Sequence, residues 1–589
     1  MSDFKKQQLI IFKELLDSND LVNVTLRTND GGQQMVHLEI LAAVSPYFRR
    51  LINSSKNGMW ETITVPDTSK DTLVEIINYI YSGKVCLRED KVKALIDSAE
   101  ILGIPGIIKL CKRFLSSNIT VANCVDRYNF ANSYQYLDLR GKSLKFILNN
   151  FEDVYKSNAQ FGELEIDDLV AILSSDNLNV KDEETVYWAM LKWLDTDVSS
   201  RSYHLSNILR CVRIGLCSFK FFEDHIWTNE LISKNEDCQG IMFQGSQLFA
   251  DLQNGDSPQV VYDLHHPFLR PRVPNEIIFV MGGWSAGSAT NIMETYDCKT
   301  QRWFLSLYSD SIPRAYHGMI WHQKRIYVIG GFDGNQCFNS VRCFDPVTHA
   351  WEEKGCMYVQ RCYVSVAVVG EYLYALGGYD GHRRNKSCER YDSAKNQWSF
   401  ISNMHNIRSD ASADTLEGKI YIAGGFNGTQ VLDSAECYDP ATDEWTLIPN
   451  MNTPRSGVKV VAYRNYLFVI GGFNGSNRLS TGTSVERYDK VTRMWTFVAP
   501  MLGPRSNFAT AIINDMLYVI GGFNGTGLST IASAELYDPL TNSWKSVTDL
   551  NLNRSALAAC RVSNISSAAE YSYIGNVMFE ESVNDSSSS

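Results

Sequence analysis

The stretch RIYVIGGFDG, residues 325–334, decides the fold. Its apolar, β-branched run reads as a buried strand. Gly330-Gly331 ends the run where positive φ and close backbone approach are needed, and Asp333-Gly334 adds a tight-turn signal. The arrangement recurs. Gly pairs stand at Gly282-Gly283, Gly330-Gly331, Gly377-Gly378, Gly424-Gly425, Gly471-Gly472 and Gly521-Gly522. Each is followed by Tyr296-Asp297, Phe344-Asp345, Tyr391-Asp392, Tyr438-Asp439, Tyr488-Asp489 or Tyr537-Asp538 in turn, and then by Trp303, Trp351, Trp398, Trp445, Trp495 or Trp544. Five units also carry Asp-Gly or Asn-Gly after the pair; the first has Ser285-Ala286-Gly287 instead. Three landmarks repeated six times in one order define six units of four strands each. The first unit begins directly at its second strand, 277–283, and the last continues past Arg554 into SALAACRVS, 555–563. Residues 555–563 are therefore expected to complete the first unit and hide both sheet edges.

Outside the repeat the composition changes. Of 39 glycines in 589 residues, 27 lie beyond residue 276, as do 8 of the 12 tryptophans. The net charge of −11 argues against a nucleic-acid binder, which needs a positive surface to displace counterions. No run reaches the ~18 apolar residues of a membrane span, and the opening MSDFKKQQLIIFKELLDSND lacks the apolar core of a secretion signal. The 14 cysteines are scattered with no C-x-x-C pair, which speaks against zinc and for free thiols in a reducing, cytoplasmic setting. Gly283-Trp284-Ser285-Ala286-Gly287 matches G-x-S-x-G but sits in a loop with no helix after it. His265-His266 has no cluster at ligand spacing. No catalytic residue, cofactor or metal is expected.

The period near ~50 residues, the four strands and the glycine signature make residues 277–563 resemble a six-bladed kelch β-propeller. At the other end, residues 1–115 mix strand and helix patterns. His37, Leu41, Ala42, Ser45, Tyr47, Phe48, Tyr79, Tyr81 and Gly83 match the motifs of the BTB domain. Two positions depart: Asn23 stands where that family usually has an Asp that supports its dimer interface, and Leu38 where it has Lys. Residues 116–253 are helical by pattern, and Asn123-Cys124, Asn150-Phe151, Leu178, Val180, Glu184-Thr185-Val186 and Trp193 resemble the BACK domain. Residues 254–276, with four prolines, read as a linker, and 564–589, ending SVNDSSSS, as a disordered tail. The expected fold is multidomain: an α/β BTB domain, an all-α BACK domain and an all-β six-bladed kelch propeller.

This order resembles the kelch-like family of cullin-3 ubiquitin-ligase adaptors. The resemblance implies a homodimer through BTB, cullin-3 held by BTB and BACK, and a protein substrate held by the propeller. An actin crosslinker without a ligase role is the alternative. An apolar-x-Glu motif marks the cullin groove in the family, and Met59-Trp60-Glu61 fits it, giving Tyr47, Phe48, Met59 and Glu61 as cullin-3 contacts. On the propeller, an arginine precedes each first strand: Arg314, Arg361, Arg408, Arg455, Arg505 and Arg554. An aromatic follows each Gly pair, among them Tyr379, Phe426, Phe473 and Phe523. Matching positions touch substrate peptides on some blades of the family, so both sets are substrate-binding candidates, and a ring of arginines favours an acidic degron. The same recurrence is also what blade packing produces. Residues that differ among blades, such as Tyr316-His317, Tyr363, Ser409-Asp410, Asn507-Phe508 and Arg383-Arg384, are specificity candidates.

Overall fold

The computed structural model describes residues 3–54, 61–254, 262–476, 478–525 and 529–579. It divides into two compact units, residues 1–169 with 192–196, and residues 170–191 with 197–589.

In the first unit a three-stranded sheet has Val24–Arg27 at its centre, antiparallel to Gln33–Val36 and parallel to Thr62–Thr64. Helices cover it because their apolar residues fall on one face. In Lys70–Ser82, Leu73, Ile76, Ile77, Ile80 and Tyr81 are buried, Ser69 caps the start through Thr72 N–H, and Gly83 ends the helix at φ 71°. Asn23 takes over part of the capping of Leu38–Val44: its Oδ1 accepts from Leu38 N–H at 2.9 Å, and its amide donates to the Glu39 carboxylate at 2.8 and 2.9 Å. The helices Cys124–Ser133, Leu137–Asn149 and Phe151–Ser157 continue this unit.

The second unit is built around six four-stranded antiparallel sheets, counted among the described residues. Each blade runs from an innermost to an outermost strand; the blade holding the opening motif is Gly318–His322, Arg325–Ile329, Val341–Asp345 and Ala350–Lys354. The innermost strands pack side by side in a closed circle. Ala558–Ser563 pairs antiparallel with Glu276–Met281, so the end of the chain supplies the innermost strand of the first blade.

The landmarks have separate jobs. Each tryptophan ties its outer strand to the preceding blade: Trp398 Nε1 donates to Gly355 O at 2.8 Å, Trp445 to Ser402 O at 2.9 Å, and Trp303 to Thr548 O at 2.9 Å across the closure. The Asp after each Tyr or Phe caps the outer turn, as Asp345 does for Val347 N–H at 2.9 Å. At Gly330 and Gly331 φ is 63° and 103°. Gly331 N–H donates to Arg361 O at 2.8 Å, and a Cβ on Gly330 would lie 2.2 Å from that same oxygen. Only glycine fits that approach.

Two expectations about the connecting segments need correction. Residues 262–276 form an ordered strap rather than a loose linker. Buried Arg272 meets Glu183 at 2.6 Å and donates to Leu173 O and Ser175 O, while Arg270 and Arg213 share Asp176. The tail expected to be disordered is packed against the propeller as far as Val577. Ala568, Tyr571 and Ile574 are buried, and Tyr571 Oη and Ser567 Oγ donate to Pro346 O at 2.8 and 2.7 Å. Residues 580–589 lie outside the described residues.

Candidate functional site: the open face of the propeller

Two residues past each of the six recurring arginines the chain turns through positive φ: Tyr316 57°, Tyr363 53°, Asp410 59°, Gly457 60°, Asn507 52° and Ala556 55°. These residues are linked backbone to backbone around the axis. Tyr363 N–H donates to Tyr316 O, Asp410 to Tyr363, Gly457 to Asp410, Asn507 to Gly457, Ala556 to Asn507 and Tyr316 to Ala556, at 2.6–3.1 Å. A closed circle of six peptide hydrogen bonds frames the mouth of the central channel. Tight turns of this kind hold side chains at fixed positions, which is what a recognition surface requires.

Tyr316 and Tyr363 lie ring to ring, centroids 4.0 Å apart, on one side of the mouth, with Asp410 beside them. Beyond Asp410 opens a cleft of about 620 Å³ whose lining includes Tyr363, Arg384, Asp410, Phe426, Gln430 and Phe473. Arg384 crosses it: its guanidinium sits 4.6 Å from the Phe426 ring centroid and 5.4 Å from that of Tyr379, and its Nε donates to Ser409 Oγ at 2.9 Å. Such a stack holds a cation over an aromatic face. The cleft thus offers half-buried aromatic walls, one carboxylate and one guanidinium. In the throat below, burial pushes His317 down to about 3, helped by the charges of Arg314, Lys459 and Arg554, so its ring is neutral at physiological pH. Lower in the channel, burial lifts Asp414 to about 6 although Ala462 and Thr415 N–H donate to it.

The structure brings Tyr316, Tyr363, Asp410, Phe426 and Phe473 together at the mouth and cleft. Tyr379 and Phe523 are half-buried outside the cleft wall. The expectation for the arginines is corrected. Arg314, Arg361, Arg408, Arg455, Arg505 and Arg554 are 0–1% exposed. Five pair with a glutamate on the third strand of their own blade: Arg361 with Glu389, Arg408 with Glu436 and Arg455 with Glu486 at 2.9 Å, Arg505 with Glu535 at 2.6 Å and Arg554 with Glu294 at 2.7 Å. Each guanidinium also donates to the first carbonyl of a Gly pair, as Arg408 does to Gly424 O at 2.7 Å. Each of these glutamates gathers N–H groups from the chain entering the blade, as Glu436 does from His405 and Asn406. A buried pair persists when its remaining hydrogen bonds are met, and here it joins the Gly turn, the third strand and the incoming chain. These arginines are framework, so no arginine ring faces a degron. Phe508 is corrected too: it is fully buried among Ile470, Met501 and Leu517.

Blade two departs from the pattern. Arg342 holds the glutamate position and bonds Asp310 at 3.0 Å, leaving Arg314 with Gly330 O, Ser340 and the Phe338 ring at 4.4 Å. The missing signal was in the sequence: a glutamate stands two residues before five of the six Tyr-Asp landmarks, and Arg342 before the other. The remaining cleft residues, such as Gln430, recur in no pattern and gave no signal.

On the BTB fold, Tyr47 is half-buried and edge-on to Phe48 at 5.2 Å, and Glu61 is exposed. Phe48 is 1% exposed and belongs to the core, which corrects its expected role as a cullin contact. Met59 lies outside the described residues.

The comparisons with known proteins agree with this architecture. The family model described as the KLHDC2/KLHL20/DRC7 Kelch-repeats domain matches residues 272–472 and 364–569, together just over half of the chain. The BACK model (BTB And C-terminal Kelch) matches residues 124–227, and the BTB/POZ domain model residues 12–119. Kelch-like protein 28 of Homo sapiens is 33% identical over 383 residues, 63% of this chain and 65% of that protein. Kelch-like protein 17 of Mus musculus is 31% identical over 271 residues, 45% of this chain and 41% of that protein. The matches span less than two thirds of these relatives' own length. With three domain models in this order on a BTB fold, a helical region and a six-bladed propeller, the chain belongs to the kelch-like BTB–BACK–kelch family.

Proposed function

We propose that the chain is the substrate-recognition adaptor of a cullin-3 RING ubiquitin ligase, acting in the cytoplasm as a homodimer. The observation that carries this reading is one chain joining a BTB fold to a propeller whose face bears a cleft where recurring aromatics are joined by residues that differ from blade to blade, Tyr363, Arg384, Asp410 and Gln430. The adaptor performs no bond chemistry. It binds cullin-3 through Tyr47, Met59 and Glu61 and a target protein through the cleft, raising the effective concentration of the target beside a ubiquitin-charged enzyme. Support for the dimer comes from the first helix, Asp3–Asp17, where Ile10 and Ile11 are 58% and 53% exposed; apolar residues so exposed suit an interface. Two propellers per dimer would let a target with two motifs bind with avidity.

The test is co-purification of cullin-3 with the full chain and with the Met59→Ala, Glu61→Arg double variant. The adaptor reading expects capture by the first and loss by the second, with dimer mass unchanged in both. Should the unaltered chain fail to hold cullin-3 yet co-sediment with actin filaments, the crosslinker reading replaces it.

A further inference from the structure

The mouth-forming segments carry one chemical irregularity that neither packing nor the proposed recognition role uses. Cys337 and Cys362 are both free, 5% and 1% exposed, and their Sγ atoms lie 3.0 Å apart. Their approach is set by the backbone. Arg361 N–H donates to Phe338 O at 2.9 Å, and Met357 N–H to Asn339 O at 2.9 Å, so the loop between the second and third strands of blade two and the chain entering blade three run side by side. The six-fold repeat supplies its own control. The same backbone bond occurs in the other blades, where Arg408, Arg455 and Arg505 donate to Asn385, Leu432 and Gly482. There the place of Cys362 is taken by Ser409, Ser456, Ser506 and Ser555, and once by Ala315. No other repeat has cysteine at either place. The fold therefore does not require thiols here, yet in this one blade both partners are thiols and they touch.

We infer that Cys337 and Cys362 form a reversible disulfide, oxidised by hydroperoxides, that staples blade two to blade three beside the mouth. Cys337 is the attacking thiol. It stands at the base of the exposed turn Gly334, Asn335 and Gln336, whereas Cys362 lies deeper. The Cys362 thiol, pointing at it, holds the Cys337 thiol below its ordinary range. Cys337 loses its proton and its sulfur attacks one peroxide oxygen. The O–O bond breaks, giving a sulfenic acid and a hydroxide or alkoxide that takes up the proton. Cys362 then attacks the Cys337 sulfur, the S–S bond forms, the S–O bond breaks, and hydroxide leaves with the Cys362 proton as water. Two thiols give two electrons to one peroxide. The bond closes a loop from residue 337 to residue 362 and fixes the residue that follows, Tyr363, at the rim of the cleft.

The experiment treats the full-length protein with hydrogen peroxide, alkylates the remaining thiols, digests without reductant and reads the peptides by mass spectrometry. The expected product joins the Cys337 and Cys362 peptides with the loss of two hydrogens, is removed by dithiothreitol, and forms in preference to any pairing among the other twelve cysteines. Cys362→Ser, which installs the residue four other blades already carry, should abolish the crosslink and leave Cys337 to alkylation or over-oxidation. If Cys337 and Cys362 remain as open to alkylation after peroxide as before, or Cys337 proceeds to sulfinic acid in the unaltered protein without crosslinking, the inference is wrong. Neither outcome depends on cullin-3 or on any substrate.

Discussion

Replacing Arg408 with methionine separates a framework role from a substrate contact. Arg408 makes five hydrogen bonds: two to Glu436 Oε1, and the others to Gly424 O, Ser434 O and Ser434 Oγ. Both partners of the ion pair are fully buried. Removing the guanidinium leaves a carboxylate in the protein interior with only its N–H and imidazole donors, a loss of ~3–5 kcal/mol. Blade two provides the comparison, because Arg314 faces no glutamate. Arg314→Met strands the oxygens of Gly330 and Ser340 but no charge, so its cost is ~1–3 kcal/mol. Urea unfolding of the full chain followed by tryptophan fluorescence reads the difference, since 8 of the 12 tryptophans lie in the propeller half. Arg408→Met should move the midpoint well below that of Arg314→Met. Adding Glu436→Leu to Arg408→Met should recover part of the loss, because the uncompensated charge goes with it. The pH dependence follows as well. Burial acts to raise the Glu436 pKa, but the Arg408 charge and the His405 and Asn406 N–H groups outweigh it and hold the carboxyl below its ordinary value. With the folded value depressed, the stabilisation is complete above the unfolded pKa and disappears as pH falls through the folded one. The advantage of the unaltered protein over the double variant should therefore shrink below pH ~4. The reasoning is refuted if both single variants unfold within ~0.5 kcal/mol of the unaltered protein while target capture is lost.

Three further outcomes are expected. Tyr571→Ala should destabilise the propeller by ~3–5 kcal/mol, because a buried ring and its bond to Pro346 are lost; an unchanged urea midpoint would show that the C-terminal segment does not bear on the blades. Asp410→Asn and Arg384→Gln remove the two charges of the cleft, and asparagine tolerates the positive φ at position 410, so each should move the midpoint by no more than ~1 kcal/mol while weakening target capture ~10-fold or more by pull-down; intact capture would move the site elsewhere on the face. Asn23→Ala removes the acceptor for Leu38 N–H, and thermal melting of the BTB fold should report a loss of ~1 kcal/mol, with no loss if water replaces the cap fully.

What the sequence made legible was whatever the backbone demands six times. The Gly pairs, the Tyr-Asp turns and the tryptophans recur because every blade needs the same turn, cap and tie, and so the propeller could be read before any coordinate. That same reasoning shows why the arginines were misread. Recurrence reports a requirement shared by all blades, and a partner that meets a propeller off-axis imposes no such requirement; six identical charges are better explained by a buried framework bond repeated in each blade, and five glutamates to pair with them stand at a constant place, two residues before the Tyr-Asp landmark. The strap was hidden for a different reason. Prolines announce an irregular segment, but the partners that order it, Asp176 and Glu183, lie 94 and 89 residues from Arg270 and Arg272, beyond any local pattern. The C-terminal segment was misjudged from its last eight residues, although Tyr571, Tyr573 and Ile574 carried the apolar content of a docked piece. The converse rule locates the site. Where the framework is constant, a position that changes from Tyr316 to Tyr363 to Asp410 to Gly457 around one hydrogen-bonded circle cannot be serving the circle, since the backbone makes those bonds whatever the side chain. The choice of residue at those positions is left to a partner, and two of them, Tyr363 and Asp410, line the cleft.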